Sequence, residues 1–140
     1  MGGALVANSF ARSPAMIGGL ASVATIPAHF FLSKLQSEQF ACVLLAAIGA
    51  IYVGFALQRG SLSQIATEIA AAFGFLAAAL AGLWLNVWIV PIAYVLHGAW
   101  DYAHHQGSKL VTIPVWYPPF CAIYDFVAAL GLAAMWTLRG

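Results

Sequence analysis

Charged side chains are almost missing from this sequence. Of its 140 residues only 6% are charged, five of them basic and four acidic, whereas a soluble globular domain carries about 25%. So few charges cannot cover a surface that faces water. We therefore expect an integral membrane protein, with residues 1–140 forming a single transmembrane domain whose main partner is the lipid bilayer. The net charge of +1 gives no basic face, which excludes nucleic acid as a partner.

Cysteine is equally scarce. Cys42 and Cys121 are the two thiols, each lies within an apolar run, and neither belongs to a CxxC pair. We expect both to be small core residues rather than disulfide partners or metal ligands.

Apolar residues make up 64% of the chain, and they are grouped in runs long enough to span a bilayer. A spanning helix needs about 20 mostly apolar residues. The sequence therefore predicts an all-α, multi-pass transmembrane helical bundle of about five spans, at residues 14–33, 40–58, 62–84, 89–105 and 119–138. In the third span, Ala71, Gly74 and Ala78 have the spacing of a close helix contact.

Five spans place the chain ends on opposite sides of the membrane. Side A holds the start of the first span, the turn at residues 58–62 and the loop at residues 105–119, and side B is the opposite face. Aromatic residues typical of a membrane interface fall near both faces: Trp116 and Tyr117 at side A, and Trp84, Trp88 and Trp136 at side B. Basic residues favour side A as cytoplasmic, with Arg12, Arg59 and Lys109 there against Lys34 and Arg139.

Three of the four histidines and one of the four acids fall within the nine-residue stretch HGAWDYAHH. His97, Asp101, His104 and His105 have the spacing i, i+4, i+7 and i+8, which covers about 100° of one helix face. Trp100 is expected to point elsewhere. The four polar side chains should therefore project into a common space.

Acids on two other spans reach a similar depth. At about 1.5 Å per residue, Asp101 lies about 6 Å and His97 about 12 Å below side A, and Glu68 and Asp125 each lie about 9 Å below it. A carboxylate in the middle of a bilayer costs about 2.5–3.5 kcal/mol. Protonation, an imidazolium partner, a metal ion or an inward-reaching basic side chain must compensate for this cost.

Imidazole and carboxylate together form the ligand set of zinc and non-haem iron, so we expect a metal-binding pocket near side A with iron or zinc as its cofactor. The candidate ligands are His97, His104, His105, Asp101, Glu68 and Asp125, of which Glu68, Asp101 and Asp125 are also candidate catalytic residues. A purely structural hydrogen-bond network, or binding of a haem, quinone or pigment, fits the same residues. His29, alone on its helix, is expected to be a hydrogen-bonded packing residue.

The stretches GAIYVGFAL (residues 49–57), HGAWDYAHH (97–105) and VWYPPFCAIYD (115–125), together with Glu68, resemble a family of bacterial integral membrane proteins of about this length without an established activity. The resemblance implies the multi-span fold and a location in the bacterial inner membrane. It also implies that these stretches belong together.

A second resemblance is local. DYAHH, from Asp101 to His105, is similar to the HxxHH box of membrane di-iron hydroxylases and desaturases, with aspartate in the first position. Those enzymes combine several boxes and more histidines than the four in this chain. The resemblance therefore implies a carboxylate-richer site, with Glu68, Asp101 and Asp125 replacing histidines.

Two functions follow from these patterns. The first is a metal-dependent membrane enzyme acting on a lipid-soluble substrate. Iron would serve hydroxylation or desaturation with an electron donor as partner, and zinc would serve hydrolysis. The second is a non-catalytic accessory subunit of a larger membrane complex, whose histidines are structural or bind a cofactor. In either case the loop at residues 106–118, with Trp116 and Tyr117, is expected to cover the pocket.

Overall fold

A computed structural model describes residues 13–106 and 109–140, which form five α-helices. In chain order these are α1 (Pro14–Ala28), α2 (Lys34–Arg59), α3 (Leu62–Trp84), α4 (Ile89–His105) and α5 (Tyr117–Arg139), and a 3-10 turn, His29–Phe31, extends α1. No strand occurs in the described ranges. The prediction of an all-helical fold is confirmed. Arg12, which entered the comparison of charges, lies outside the described residues.

The helices differ in length. The segment Pro14–Phe31 and the helices α2, α3 and α5 are each long and apolar enough to cross a membrane, which supports integration into a bilayer. α4 has 17 residues and is about 25 Å long at 1.5 Å per residue, less than the roughly 30 Å of a hydrocarbon core. Four of the five predicted spans are thus supported by length and composition, and α4, which carries most of the predicted site, is not among them.

Local sequence fixes where the helices begin. Ser33 and Ser61 each accept a hydrogen bond from the backbone N–H three residues later, and the glutamine at that position bonds back to the serine N–H. These reciprocal capping boxes satisfy backbone donors that a helix start otherwise leaves unpaired. α5 begins at Tyr117, where Pro118 and Pro119 occupy the first turn and suit its missing hydrogen bonds.

Helix α5 lies between α1 and α4, while α2 pairs with α3. Two glycines allow the close approaches to α5. A Cβ on Gly18 of α1 would collide with the backbone carbonyl of Phe120, and one on Gly98 of α4 would lie 2.9 Å from the ring of Phe126. Small residues at such contacts let helix backbones approach closely in a membrane. The approach at Gly98 brings α4 and α5 together beside His97.

The glycine of the predicted close contact along α3 does not make it. Gly74 is exposed, and a Cβ built on it meets no atom within 4 Å. Together with Ala71 and Ala78 it lines an apolar groove between α3 and α4, and Ala78 also packs against the buried core. The two helices touch over a shorter stretch than α4 and α5, which leaves this groove open.

A hydrogen-bond network joins the helices at side B. Trp136 donates from its indole N–H to the hydroxyl of Ser37, which also bonds His29 Nδ1 at 2.8 Å. Arg139 donates to backbone carbonyls of the turn after α1, including those of His29 and Leu32. His29 is thus a hydrogen-bonded packing residue, as predicted. Trp136 is buried rather than interfacial, so it does not belong to an aromatic belt.

The loop before α5 covers the bundle at side A. Gln64 donates from its side chain to the carbonyls of Lys109 and Leu110, which holds the loop against the start of α3. Val111 and Ile113 are buried and pack in one apolar cluster with Tyr117. The loop covers the interior as expected. Trp116, which was expected to contribute, is 54% exposed.

Candidate metal centre

Two facing helices each contribute a polar pair with the spacing i, i+4. His97 and Asp101 project from α4, and Cys121 and Asp125 project from α5. All four are buried, and one potential ligand atom from each lies within 4.8 Å of those of the others. Counted from the side A ends of their helices, the four residues lie about 6–12 Å deep.

The imidazole of His97 lies at the centre of this group. Its Nδ1 is 2.6 Å from Asp125 Oδ2 and 3.5 Å from Asp101 Oδ2. The hydroxyl of Tyr52, on α2, donates to Asp101 Oδ1 at 2.5 Å. The thiol of Cys121 lies 3.8 Å from Asp125 Oδ2. Three helices therefore fix the orientation of the two carboxylates.

Three polar atoms of this group have no hydrogen-bond partner within the described ranges: His97 Nε2, Asp101 Oδ2 and Asp125 Oδ1. All three residues have 0% exposure. A buried polar atom without a partner costs about 1–3 kcal/mol, so three in one cluster are a large penalty for a folded chain. The cluster has the polar atoms of a binding site, and a bound group would supply the missing contacts.

The charges of the cluster are also unbalanced. Two carboxylates face one imidazole, so a net negative charge remains when both acids are ionised, even with a protonated histidine. Among the described residues, the ion pairs of these acids involve histidine alone, and Arg59 and Lys109 are exposed. A divalent cation bound by two carboxylates and a neutral imidazole would bring the total charge to zero. Coordination by Cys121 would deprotonate its thiol and leave one negative charge. The donor set thus suits a divalent metal ion.

A second polar group lies beside the first and is complete. Glu68 Oε1 is 2.8 Å from His104 Nε2, and Glu68 Oε2 accepts from the indole N–H of Trp100. His104 Nδ1 lies 2.9 Å from the carbonyl of Trp100, so it must be the donor there. The pair is neutral whether the acidic proton sits on Glu68 or on the imidazole. Neither ring nitrogen of His104 is free to bind a metal in this arrangement.

A protein-family model described as "Family of unknown function (DUF6010)" matches residues 13–139, which include both polar groups. The chain belongs to this family. Its DUF6010 membership agrees with the resemblance to an uncharacterised family of membrane proteins. Comparisons with curated proteins and with solved structures gave no match.

In this DUF6010 chain the polar side chains of α4 contact different neighbouring helices. Relative to His97, helical rotation places Asp101 at about +40°, His105 at about +80°, His104 at about −20° and Trp100 at about −60°. Asp101 therefore joins α5 and α2, whereas His104 and Trp100 face Glu68 on α3. His105 is exposed and joins neither group. The DYAHH residues are thus not gathered around one centre, which gives the di-iron resemblance no support.

Sequence reasoning brought the right helices together but missed three participants. Tyr52 was not singled out, although it lies about 10 Å from the side A end of α2 and so at the depth of the acids. Cys121 was assigned to the core, although it lies one helical turn before Asp125. Trp100 was expected to point away, yet its indole N–H bonds Glu68. Its position only about 40° from His104 is a signal that could have identified it.

Proposed function

We propose that this protein binds one divalent metal ion, zinc or ferrous iron, between α4 and α5 within the membrane. His97, Asp101 and Asp125 are the ligands, and Cys121 is the fourth donor. The observation that carries the proposal is the group of four buried donor residues, of which one ligand atom each lies within 4.8 Å of the others. Asp101 Oδ2, a fully buried atom without a hydrogen-bond partner, would become a ligand of the ion.

The spacing of the donor atoms supports this assignment. Zinc binds nitrogen and oxygen at about 2.0–2.2 Å and sulfur at about 2.3 Å, so tetrahedral ligands lie about 3.3–3.7 Å apart. The distance of 3.5 Å from His97 Nδ1 to Asp101 Oδ2 and that of 3.8 Å from Cys121 Sγ to Asp125 Oδ2 are close to this range. The contact of 2.6 Å between His97 and Asp125 would lengthen by about 0.7 Å to reach it, which small side-chain rotations provide.

Two of the original candidates have other roles in this proposal. Glu68 and His104 form a neutral hydrogen-bonded pair that braces α3 against α4, and the ring of Tyr52 stacks on His104 with 4.3 Å between centroids. Because Tyr52 also donates to Asp101, the pair helps to position a ligand without touching the ion. His105 remains outside the ligand set.

We further propose that the metal centre serves a reaction on a lipid-soluble molecule. Bound zinc would supply a nucleophilic water near neutral pH, and bound iron would supply oxidative chemistry with an external electron donor. Of the chain's own residues, Asp101 and Asp125 would carry protons or charge beside the substrate, and Tyr52 would hold Asp101 in place. The depth of the cluster below side A, about 6–12 Å, favours a substrate dissolved in the bilayer.

Metal analysis of the purified protein tests the proposal. We expect inductively coupled plasma mass spectrometry to find about one zinc or iron ion per chain, removable by a chelator and restored by adding the ion back. A matched control is His105→Ala, which removes an exposed imidazole near the same membrane face and should leave the metal content unchanged.

The contrary result is equally specific. A protein that neither retains nor rebinds metal, and that co-purifies with other membrane proteins, would contradict the metal centre. It would instead favour the accessory subunit, in which the unpaired atoms of His97, Asp101 and Asp125 bond internal water or a partner.

A further inference from the structure

An apolar groove of about 390 Å³ lies between α3 and α4 and opens outward near the middle of both helices. Its lining includes Gly74, Phe75 and Ala78 from α3 and Leu96 and Trp100 from α4. Ligand pockets have volumes of about 300–1,000 Å³, so the groove is large enough for part of a small molecule. In a membrane-spanning bundle this position would face the hydrocarbon interior of the bilayer.

The floor of this groove touches both polar groups. The ring of Phe75 packs edge-on against the imidazole of His97, with 4.7 Å between centroids. Trp100, at the end nearer side A, donates to Glu68. Phe75 also packs closely against α2, because a Cβ on Gly49 of that helix would lie 2.9 Å from the Phe75 Cβ. One aromatic ring thus separates the groove from the candidate metal centre.

The histidine beside Phe75 has an unpaired ring nitrogen. His97 Nδ1 is engaged by Asp125 on α5, whereas Nε2 is fully buried and has no hydrogen-bond partner within the described ranges. Phe75 both lines the groove and contacts this imidazole, so movement of its ring would open a path from the groove to the histidine.

We propose that the groove binds the hydrocarbon chain of a single-chain amphiphile, such as a fatty acid, whose polar end reaches His97 past Phe75. This inference deepens the proposed function and rests on it, because it names the substrate class and its route to the metal centre. A comparable groove of about 470 Å³ between α1 and α5, lined by residues such as Val23 and Leu130, includes no residue of the two polar groups of α4 in its lining and is an internal control.

Two glycines provide matched variants. Gly74 lies in the groove and Gly54 lies on the outer face of α2, and a Cβ on either meets no atom within 4 Å. Leucine at either position adds the same apolar volume to a lipid-facing helix, but only Gly74→Leu fills the groove. Neither position belongs to the ligand set, so both variants should bind metal as the wild type does.

The first measurement does not depend on metal. The full chain in phosphatidylcholine nanodiscs is irradiated with dodecanoic acid that carries an alkyl diazirine, and labelled peptides are mapped by mass spectrometry. We expect labelling of α3 and α4 along the groove to exceed that of the α1–α5 groove, and unlabelled dodecanoic acid to compete with it. Gly74→Leu should reduce this labelling at least tenfold, and Gly54→Leu should not change it.

The second measurement follows the metal. Co²⁺ bound to the protein has a visible spectrum that reports on groups near the ion, so dodecanoic acid should shift it in the wild type and in Gly54→Leu. The same acid should leave the spectrum of Gly74→Leu unchanged at equal cobalt content. No cobalt binding in the wild type would refute the metal centre, while the labelling would still decide whether the groove holds the chain.

Three results would overturn the inference itself. Equal labelling of the two grooves would mean that the acid only samples the lipid-facing surface. Labelling of the groove without any effect on bound cobalt would separate the groove from His97. A dimer in the wild type that Gly74→Leu dissociates would show that the small residues of α3 contact a second copy of the chain.

Discussion

The two buried histidines of α4 should respond differently to the same substitution. His97 lies among the two aspartates and retains an unpaired ring nitrogen, whereas both nitrogens of His104 are engaged with Glu68 and the Trp100 carbonyl. We predict that His97→Ala abolishes tight metal binding and that His104→Ala does not. The sequence alone predicted both as ligands, so this pair of variants tests what the structure adds.

The magnitudes follow from the contacts that each variant loses. Structural zinc sites bind with about 10–16 kcal/mol, or about 2.5–4 kcal/mol for each of four ligands. At about 1.4 kcal/mol per factor of ten, loss of His97 should weaken binding about 60- to 700-fold. His104 touches no ligand atom of the cluster, so its loss should change the affinity by only about 0.5 kcal/mol, roughly a factor of two.

Stability should change more in the second variant. His104→Ala leaves the Glu68 carboxyl buried with only the Trp100 N–H as its partner, and removal of one partner of a buried pair destabilises a protein by about 3–5 kcal/mol. Competition titrations with a chromophoric chelator would give the affinities, and thermal unfolding of the metal-free proteins would give the stabilities. Equal losses of metal affinity in both variants, or a larger loss in His104→Ala, would refute the separation into two groups.

Two further predictions concern the contact between α4 and α5. Asp125→Asn keeps an oxygen to accept from His97 Nδ1 but removes a negative ligand, so metal affinity should fall about 60- to 700-fold. The thermal stability of the metal-free protein should stay the same or rise, because a buried charge is gone. Gly98→Val places a side chain against the Phe126 ring, which already lies 2.9 Å from a Cβ there. This overpacking should destabilise the protein by about 1–3 kcal/mol and weaken metal binding, as thermal unfolding and metal titration would show.

The controls for these predictions come from the same chain. Gly54→Val makes the same change as Gly98→Val at a glycine with open space around it, so it should affect neither stability nor metal affinity. An Asp125→Asn protein that binds metal as tightly as the wild type would remove Asp125 from the ligand set. A Gly98→Val protein with unchanged stability would mean that the two helices are not held as closely as described.

The sequence predicted the helices and the distance of each acid from the end of its helix well, because both depend on short-range patterns. Runs of apolar residues mark the helices and therefore also their ends. Glu68 and Asp125 were therefore correctly expected to meet the histidine-rich face of α4. The partners of each acid depend on which helix lies on which side of α4, and no local pattern in a single sequence encodes that arrangement.

The same limit explains the misplaced residues. Cys121 resembles any small core residue until α5 is rotated so that it faces His97 together with Asp125. Gly74 has the spacing of a packing glycine, but a neighbour at that face is a property of the whole bundle. Gly98 allows a close approach of α4 to Phe126 of α5, but no pattern in its own stretch of sequence indicates which helix it faces.

The shortness of α4 creates a hydrophobic mismatch. Its 17 residues span about 25 Å, some 5 Å less than a hydrocarbon core that its neighbours α2, α3 and α5 are long enough to cross. The surrounding lipid must become thinner beside this helix, or the protein must tilt, each at a fraction of a kcal/mol per ångström. A thinner bilayer beside α4 would bring lipid headgroups and aqueous ions close to His97. Val111 and Ile113 of the side A loop are buried over this end of the bundle, so this approach would not open a channel.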